Sequence, residues 1–246
     1  MPFKYAYMLP ILCTVWFFLT FILTYFIAIY NKDVAPVFPY ISDTGTWSPE
    51  SCFFGLMLNI GAIIQALVTY IRYRQVNHLL DKETSLPPSM RKYNWICVIL
   101  STVAAFGICL VGNFQETNVL SIHMVGAFAA FGLGSIYQCI QTRASFQLYP
   151  HLGSKKINIA RICLSAISCT AFIVTAIFGG ISLLQFRGDD PTKWTKNDGG
   201  YMPHCISVAA EWILAITTML YLLLFTNEFK KISFSEPLLI ETVQQT

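Results

Sequence analysis

Five polar side chains fall inside or at the edge of stretches that are otherwise apolar enough for lipid: Asn59, Asn113, Gln115, His123 and Glu211. A carboxyl and an imidazole at membrane depth can exchange a proton at mildly acidic pH, and neighbouring amides can complete a hydrogen-bond network. An acidic residue at that depth is costly unless it is paired or neutral. Glu211 therefore needs a partner; His123 is the first the sequence offers, with Asn59 or Asn113 closing the network. Three roles fit the cluster: a structural network that fixes helix register, a proton-sensing or transport site, and a lipid-headgroup site. Catalysis fits worst, because the sequence names no nucleophile with its base and no metal set. The reading is therefore non-enzymatic, with no cofactor.

The elements that must position these groups are six apolar stretches, at about 6–30, 51–72, 94–113, 119–140, 157–184 and 204–226. Crossing the hydrocarbon core takes about 20 apolar residues as a helix, and each stretch approaches or exceeds that length. The 246 residues are 55% hydrophobic and 12% charged, about half the charged fraction of a soluble domain. The expectation is an all-α polytopic membrane protein, a single-domain bundle of six transmembrane helices spanning 1–246. Its first apolar run is longer than the core of a cleaved signal and no small-residue cleavage site follows, so it reads as a retained signal anchor.

Charge gives the bundle a direction. With six spans, one side holds Lys4, Arg72, Arg74, Lys82, Arg91, Lys92, Arg143, Lys155, Lys156, Arg161, Lys230 and Lys231, and the other holds Lys32, Arg187, Lys193 and Lys196. Twelve basic residues against four place the N- and C-termini in the cytosol. Basic residues beside helix ends suit anionic headgroups, so membrane lipids are the expected partners, together with unidentified proteins; nucleic acid is not. By this topology Asn59, His123 and Glu211 lie roughly 8–13 Å inside the lumenal boundary, at 1.5 Å per residue.

Helices in lipid associate through small residues and interhelical hydrogen bonds. The second span carries Gly55, Asn59, Ala62, Ala66 and Thr69 at helical spacing. The fourth carries Gly126, Ala130 and Gly134, and the sixth Ser207, Glu211, Ala215 and Thr218. These three faces are expected to look at one another.

The first lumenal loop, 31–50, holds Pro36, Pro39 and Pro49, which deny it a helix, and Asp43-Thr44-Gly45, which is turn chemistry. Phe38, Tyr40, Ile41 and Trp47 are too apolar for a free linker, so the loop is expected to fold back onto the bundle. The alternative is a ligand or partner surface built from Tyr40, Asp43, Gly45, Trp47 and Glu50. Ser48 is expected to cap the second span, with Pro49 first in the helix and Glu50 complementing its dipole. The second loop, 73–93, reads as charged and interrupted by Pro87-Pro88, and the fifth, 185–203, as irregular. The five-residue third connection, 114–118, makes the third and fourth helices antiparallel neighbours. Of eight cysteines, Cys52 and Cys205 fall near the lumenal ends of their spans, where a disulfide could form; the others read as apolar filling. The histidines lack zinc-ligand spacing, no C-x-x-C pair occurs, and there is no N-glycosylation sequon.

Three landmarks go beyond membrane physics: Phe-Pro-Tyr-Ile-Ser-Asp-Thr-Gly through Pro-Glu-Ser-Cys-Phe-Phe-Gly at 38–55, Val-Gly-Asn-Phe-Gln-Glu at 111–116 with His123 following, and Ala-Ala-Glu-Trp at 209–212. In order and spacing the chain resembles the damage-regulated autophagy modulator (DRAM) family, within the wider Frag/DRAM/Sfk group of six-span proteins. The resemblance implies a lysosomal or endosomal multi-pass protein that promotes autophagy and, in some members, cell death. It leaves open a plasma-membrane regulator of phosphoinositide kinase recruitment or phospholipid asymmetry, a lipid-remodelling factor for GPI anchors, and a proton-linked carrier. It brings no catalytic residues to transfer. Tyrosine-based sorting patterns occur at Tyr149-Pro-His-Leu152 and Tyr73-Arg-Gln-Val76, and Glu236-Pro-Leu-Leu-Ile240 approaches an acidic dileucine signal.

Overall fold

A computed structural model of the protein describes residues 4–37 and 39–233; Phe38 and the Glu236–Ile240 signal lie outside the described residues. Among the described residues there are helices and turns and no strand. Each expected span corresponds to one helical unit long and apolar enough to cross a membrane. These units are α1 (Met8–Asn31), α2 (Glu50–Lys82), α3 (Ser89–Asn113), a composite fourth, α6 (Lys155–Gln185) and a sixth built from α7 (Tyr201–Leu223) and α8 (Thr226–Phe229). The fourth runs α4 (Leu120–Ala127), a π-helical stretch (Phe128–Leu133) and α5 (Gly134–Leu148). Both described ends of the chain lie at one end of the bundle, called here the terminal face; the opposite end is the loop face.

Local signals set the boundaries. Lys32 ends α1 in the left-handed conformation (φ 64°), its N–H donating to Ala28 and Ile29 carbonyls. The Ser154 hydroxyl caps α6, accepting from Ile157 N at 3.3 Å. Ser48 does not cap α2, which begins at Glu50 with no side-chain cap. The Glu50 carboxylate turns inward instead, accepting from Asn31 Nδ2 at 3.2 Å. The second loop is far shorter than the expected 73–93, because α2 continues to Lys82 and α3 starts at Ser89. Nothing in that sequence breaks a helix before Pro87. The added turns have a reason to stay ordered: Val76 packs with Met90, Ala144, Leu148 and Leu152 in a second hydrophobic cluster.

Close helix contact is made through a residue pair the stripes overlooked. On α3, Gly112 meets Gly55 of α2, where an added Cβ on Gly55 would stand 2.6 Å from Gly112 O. Likewise a Cβ on Gly107 would stand 2.6 Å from Gly126 O and Ala130 N. So α3 lies between α2 and the fourth span. Members of all three small-residue stripes, Thr69, Ala130 with Gly134, and Glu211 with Ala215 and Thr218, border a shared interior channel described below. Cys52 and Cys205 are both free thiols, Cys52 exposed on α2 and Cys205 half-buried on α7.

The terminal face is tied by a buried charge cluster. Glu228 of α8 takes a bidentate pair of bonds from Arg161 of α6, at 3.0 and 2.8 Å, and one from Arg72 of α2 at 2.8 Å. Gln75 Nε2 donates to the Glu228 carbonyl, and Ser145 of α5 accepts from Arg161. Both guanidinium groups lie over the Phe225 ring, at 5.2 and 4.9 Å. Gly153 lets the α5–α6 turn close on this cluster: its φ is +82°, and a Cβ would lie 2.6 Å from Glu228 Oε1. One carboxylate thus ties α2, α6 and α8, and through Ser145 also α5. Removing one partner from such a buried set leaves uncompensated charge and costs about 3–5 kcal/mol. Glu228→Ala is expected to lower the unfolding temperature of the purified protein in detergent sharply. Arg91→Ala, which breaks only the exposed pair with Asp81, should cost about 0–1 kcal/mol. Equal effects from the two would refute the ranking.

Candidate functional site

At the loop face the first connection folds onto the bundle, and carboxylates hold it there. A turn at Asp43–Gly45 lets the segment reverse; Gly45 is required because a Cβ would stand 2.2 Å from the Phe54 ring. Ile41 N donates to Glu211 Oε2 at 2.8 Å, Tyr40 N to Asp43 Oδ2 at 2.7 Å, and Ser42 Oγ to Glu116 Oε2 at 3.0 Å. Trp212 Nε1 donates to Pro39 O at 3.1 Å, and Thr24 and Thr44 hydroxyls meet at 3.0 Å. Residues 41–46 are consequently buried. The fifth connection docks beside it: Ala35 N donates to Thr192 O, and Trp47 Nε1 to Thr192 Oγ1. Trp194 is buried and stacks on His204 at 4.3 Å.

Two voids meet under this loop. A cleft of about 410 Å³ opens between α4 and α6, walled by Leu120, Met124, Phe128, Phe172 and Leu183, with Asp43, Glu116 and Glu211 at one end. A narrower channel of about 90 Å³ descends between α1, α2, α3, the fourth span and α7. The two share Ser42, His123, Ala127, Phe131 and Glu211. At its deep end the channel reaches Tyr137 and Gln138, whose Oη and Oε1 atoms have no hydrogen-bond partner.

The expected five-residue cluster is divided. Glu211 is bound by the Ile41 backbone and not by His123. His123 donates through Nδ1 to Phe114 O at 2.8 Å, and its Nε2 stands 3.9 Å from Glu116 Oε2. Asn59 and Asn113 pair reciprocally, at 3.2 and 2.9 Å, away from both. Gln115 belongs to the turn before α4, accepting from Asn118 and Val119 N–H. A carboxylate satisfied by a loop amide lies beyond any pattern of span residues, which is why the sequence pointed to the imidazole. The loop does not present the surface of Tyr40, Asp43, Gly45, Trp47 and Glu50: Asp43, Gly45 and Glu50 are buried, Tyr40 is half-buried and Trp47 alone is exposed. Sequence reasoning also missed Ser42 and Glu116 as a pair, although both sit within the landmark segments. Arg72 and Arg161 were counted only as sidedness signals.

The sorting patterns are similarly constrained. Leu152 is buried in the second cluster and Tyr149 is half exposed. Tyr73-Arg-Gln-Val76 is helical, with Val76 buried.

This six-helix architecture, closed at one face by a folded connection, has counterparts of known sequence. The family model described as Frag1/DRAM/Sfk1/Cwh43P N-terminal domain matches residues 5–232. The chain belongs to the Frag1/DRAM/Sfk1 family. Among its relatives, DNA damage-regulated autophagy modulator protein 2 of Rattus norvegicus is 35% identical over 92% of this chain and 84% of its own. The Homo sapiens form of the same protein is 34% identical over the same shares. DNA damage-regulated autophagy modulator protein 1 of Homo sapiens is 32% identical over 91% of each chain. No solved structure matches. The three landmarks of this DRAM-type chain now have a common location, since residues 39–55, 111–116 and 209–212 all build the loop-face latch and its cleft.

Burial, and then the negative charge of Glu116 beside it, hold the Asp43 carboxyl well above the usual carboxylate range. A raised folded-state value favours the protonated form, so the folded protein gains stability below the ordinary carboxylate range and loses it as pH rises through the raised value. The unfolding temperature should therefore fall as pH rises through that window, with a slope of up to about 1.4 kcal/mol per pH unit for one proton. Asp43→Asn should flatten the profile; an unchanged slope in the variant would remove Asp43 from the account.

Proposed function

We propose that this DRAM-family protein promotes autophagy from lysosomal and endosomal membranes, as a non-enzymatic multi-pass protein acting through membrane lipids and protein partners. The observation that carries this reading is near-full-length similarity to proteins named autophagy modulators, combined with six helices able to span a membrane. A non-enzymatic role is supported by the use of the loop-face carboxyls, which are engaged in holding the first connection. A link to cell death belongs to the same proposal. The same proposal puts the terminal face in the cytosol, and the charge bias supports it: with Arg72 and Arg161 set aside as cluster members, ten basic residues still stand against four.

Imaging of the endogenously tagged protein against lysosomal and plasma-membrane markers, combined with autophagic flux in cells lacking it, tests the reading. Lysosomal residence and reduced flux are expected. Plasma-membrane residence, or normal flux, would reject it in favour of the phosphoinositide or lipid-asymmetry role. Protease protection of terminal tags on isolated organelles tests the orientation.

Because Leu152 is buried, a reader of the Tyr149 pattern would not find both of its side chains exposed. Tyr149→Ala should leave steady-state distribution unchanged, and Leu152→Ala should instead lower stability by about 2–5 kcal/mol. Redistribution by Tyr149→Ala in a stable protein would contradict this.

A further inference from the structure

The loop-face cleft has the dimensions and chemistry of a binding site. Its volume of about 410 Å³ lies within the roughly 300–1,000 Å³ of small-molecule pockets. It lies between α4 and α6, whose membrane-spanning units pack together further along, through the π-helical stretch and α5. Nothing lies within 4 Å of a Cβ built on Gly134, which is buried, or on Gly180, which is exposed on α6. Gly180 lines the cleft and Gly134 the connected channel.

Charge decides what the cleft can hold. Its lining contains three carboxyls, Asp43, Glu116 and Glu211, one imidazole, His123, whose Nε2 stands 3.9 Å from Glu116 Oε2, and no lysine or arginine. A phosphate or carboxylate headgroup would meet the oxygens of three carboxyls there and no lysine or arginine. The proton that burial and Glu116 favour on Asp43 reflects a demand for positive charge in this cavity, which an ammonium group would meet beside the three carboxyls. The remaining wall, Phe128 and Phe172 in edge-to-face contact at 5.7 Å with Leu120, Met124 and Leu183, suits a hydrocarbon chain. A second feature lies in the adjoining channel, which shares five lining residues with the cleft. The connected channel leaves the Tyr137 hydroxyl and the Gln138 amide oxygen without partners, although these residues are only 4% and 1% exposed. Bare buried polar atoms of this kind are rare in packed protein.

We propose that the cleft between α4 and α6 binds a single-chain lipid amine, its ammonium group among Asp43, Glu116 and Glu211 and its chain along Phe128 and Phe172. Entry is sideways from the bilayer, between the fourth and fifth spans. The head group reaches the same carboxyls that hold residues 40–42, so occupancy and loop docking are coupled at Glu211 and Glu116. The proposal rests on the cleft as a functional site and is independent of the autophagy assignment.

The test uses the purified full chain in lipid nanodiscs and a photoactivatable, clickable long-chain amine of the sphingoid type. The same chain carrying a neutral hydroxyl or a phosphate serves for comparison. The amine should label peptides of the fourth span and α6, be displaced by unlabelled amine, and bind at least about tenfold more tightly than either comparison probe. Gly180→Leu, which adds a bulky side chain to the cleft lining where a Cβ meets no atom, should reduce labelling about tenfold while leaving the unfolding temperature near wild type. Glu116→Gln should weaken the amine and spare the neutral alcohol. Equal labelling by the alcohol or the phosphate, or full labelling of a stably folded Gly180→Leu, would overturn the proposal. Either result can be read whether or not autophagic flux changes in cells.

Discussion

The carboxylate of Glu228 is the point on which the arrangement of the helices turns. It sits between two guanidinium groups from helices far apart in sequence, Arg72 and Arg161, and all three side chains are shielded from solvent. Each member is tolerable there only because the others are present. The cluster fixes α2, α6 and the end of the last span in one register, and through Ser145 it holds α5 against α6. At the opposite end, among the described residues, no ion pair joins α4 to α6, and there the cleft lies. The bundle is therefore pinned at one face and opened at the other, with the π-helical stretch Phe128–Leu133 between the two regimes.

The loop face is closed by a different means. Lipid offers no hydrogen bonds, so backbone groups near it must be satisfied by the protein itself. The first connection cannot form a helix because of its prolines, and its amides would be bare if it lay on the bundle unassisted. Glu211 and Asp43 accept from the amides of Ile41 and Tyr40. Glu116 adds the Ser42 hydroxyl. Acidic residues that look out of place in an apolar sequence are thus the acceptors that let an irregular segment be buried. The same groups line the cleft, which joins the docking of the loop to whatever occupies that space.

Much of this was legible in the sequence, for physical reasons that can be named. The six spans follow from hydrophobic length alone. The antiparallel α3–α4 pair follows from a five-residue connection, and the tucked first loop from Ile41 and the turn residues Asp43-Thr44-Gly45. The polar residues of the spans were correctly singled out, and their partners were not. Pairing Glu211 with His123 assumed that helix side chains answer one another, whereas a loop amide arrived first. The three small-residue stripes were expected to look at one another; members of each border one channel, while Gly55, Gly126 and Ala130 also meet α3 at Gly112 and Gly107.

What the sequence determined by itself is whatever depends on residue type and local spacing: helices of membrane length, their alternating direction, where the chain must turn, and which side chains are too polar to be ignored. What only the tertiary structure decided is which distant groups meet. Arg72, Arg161 and Glu228 are separated by scores of residues, and Ile41 stands 170 positions from Glu211. Such meetings are set by how whole helices pack, because a buried charge or a bare amide is satisfied by the nearest partner in space, wherever that partner lies along the chain.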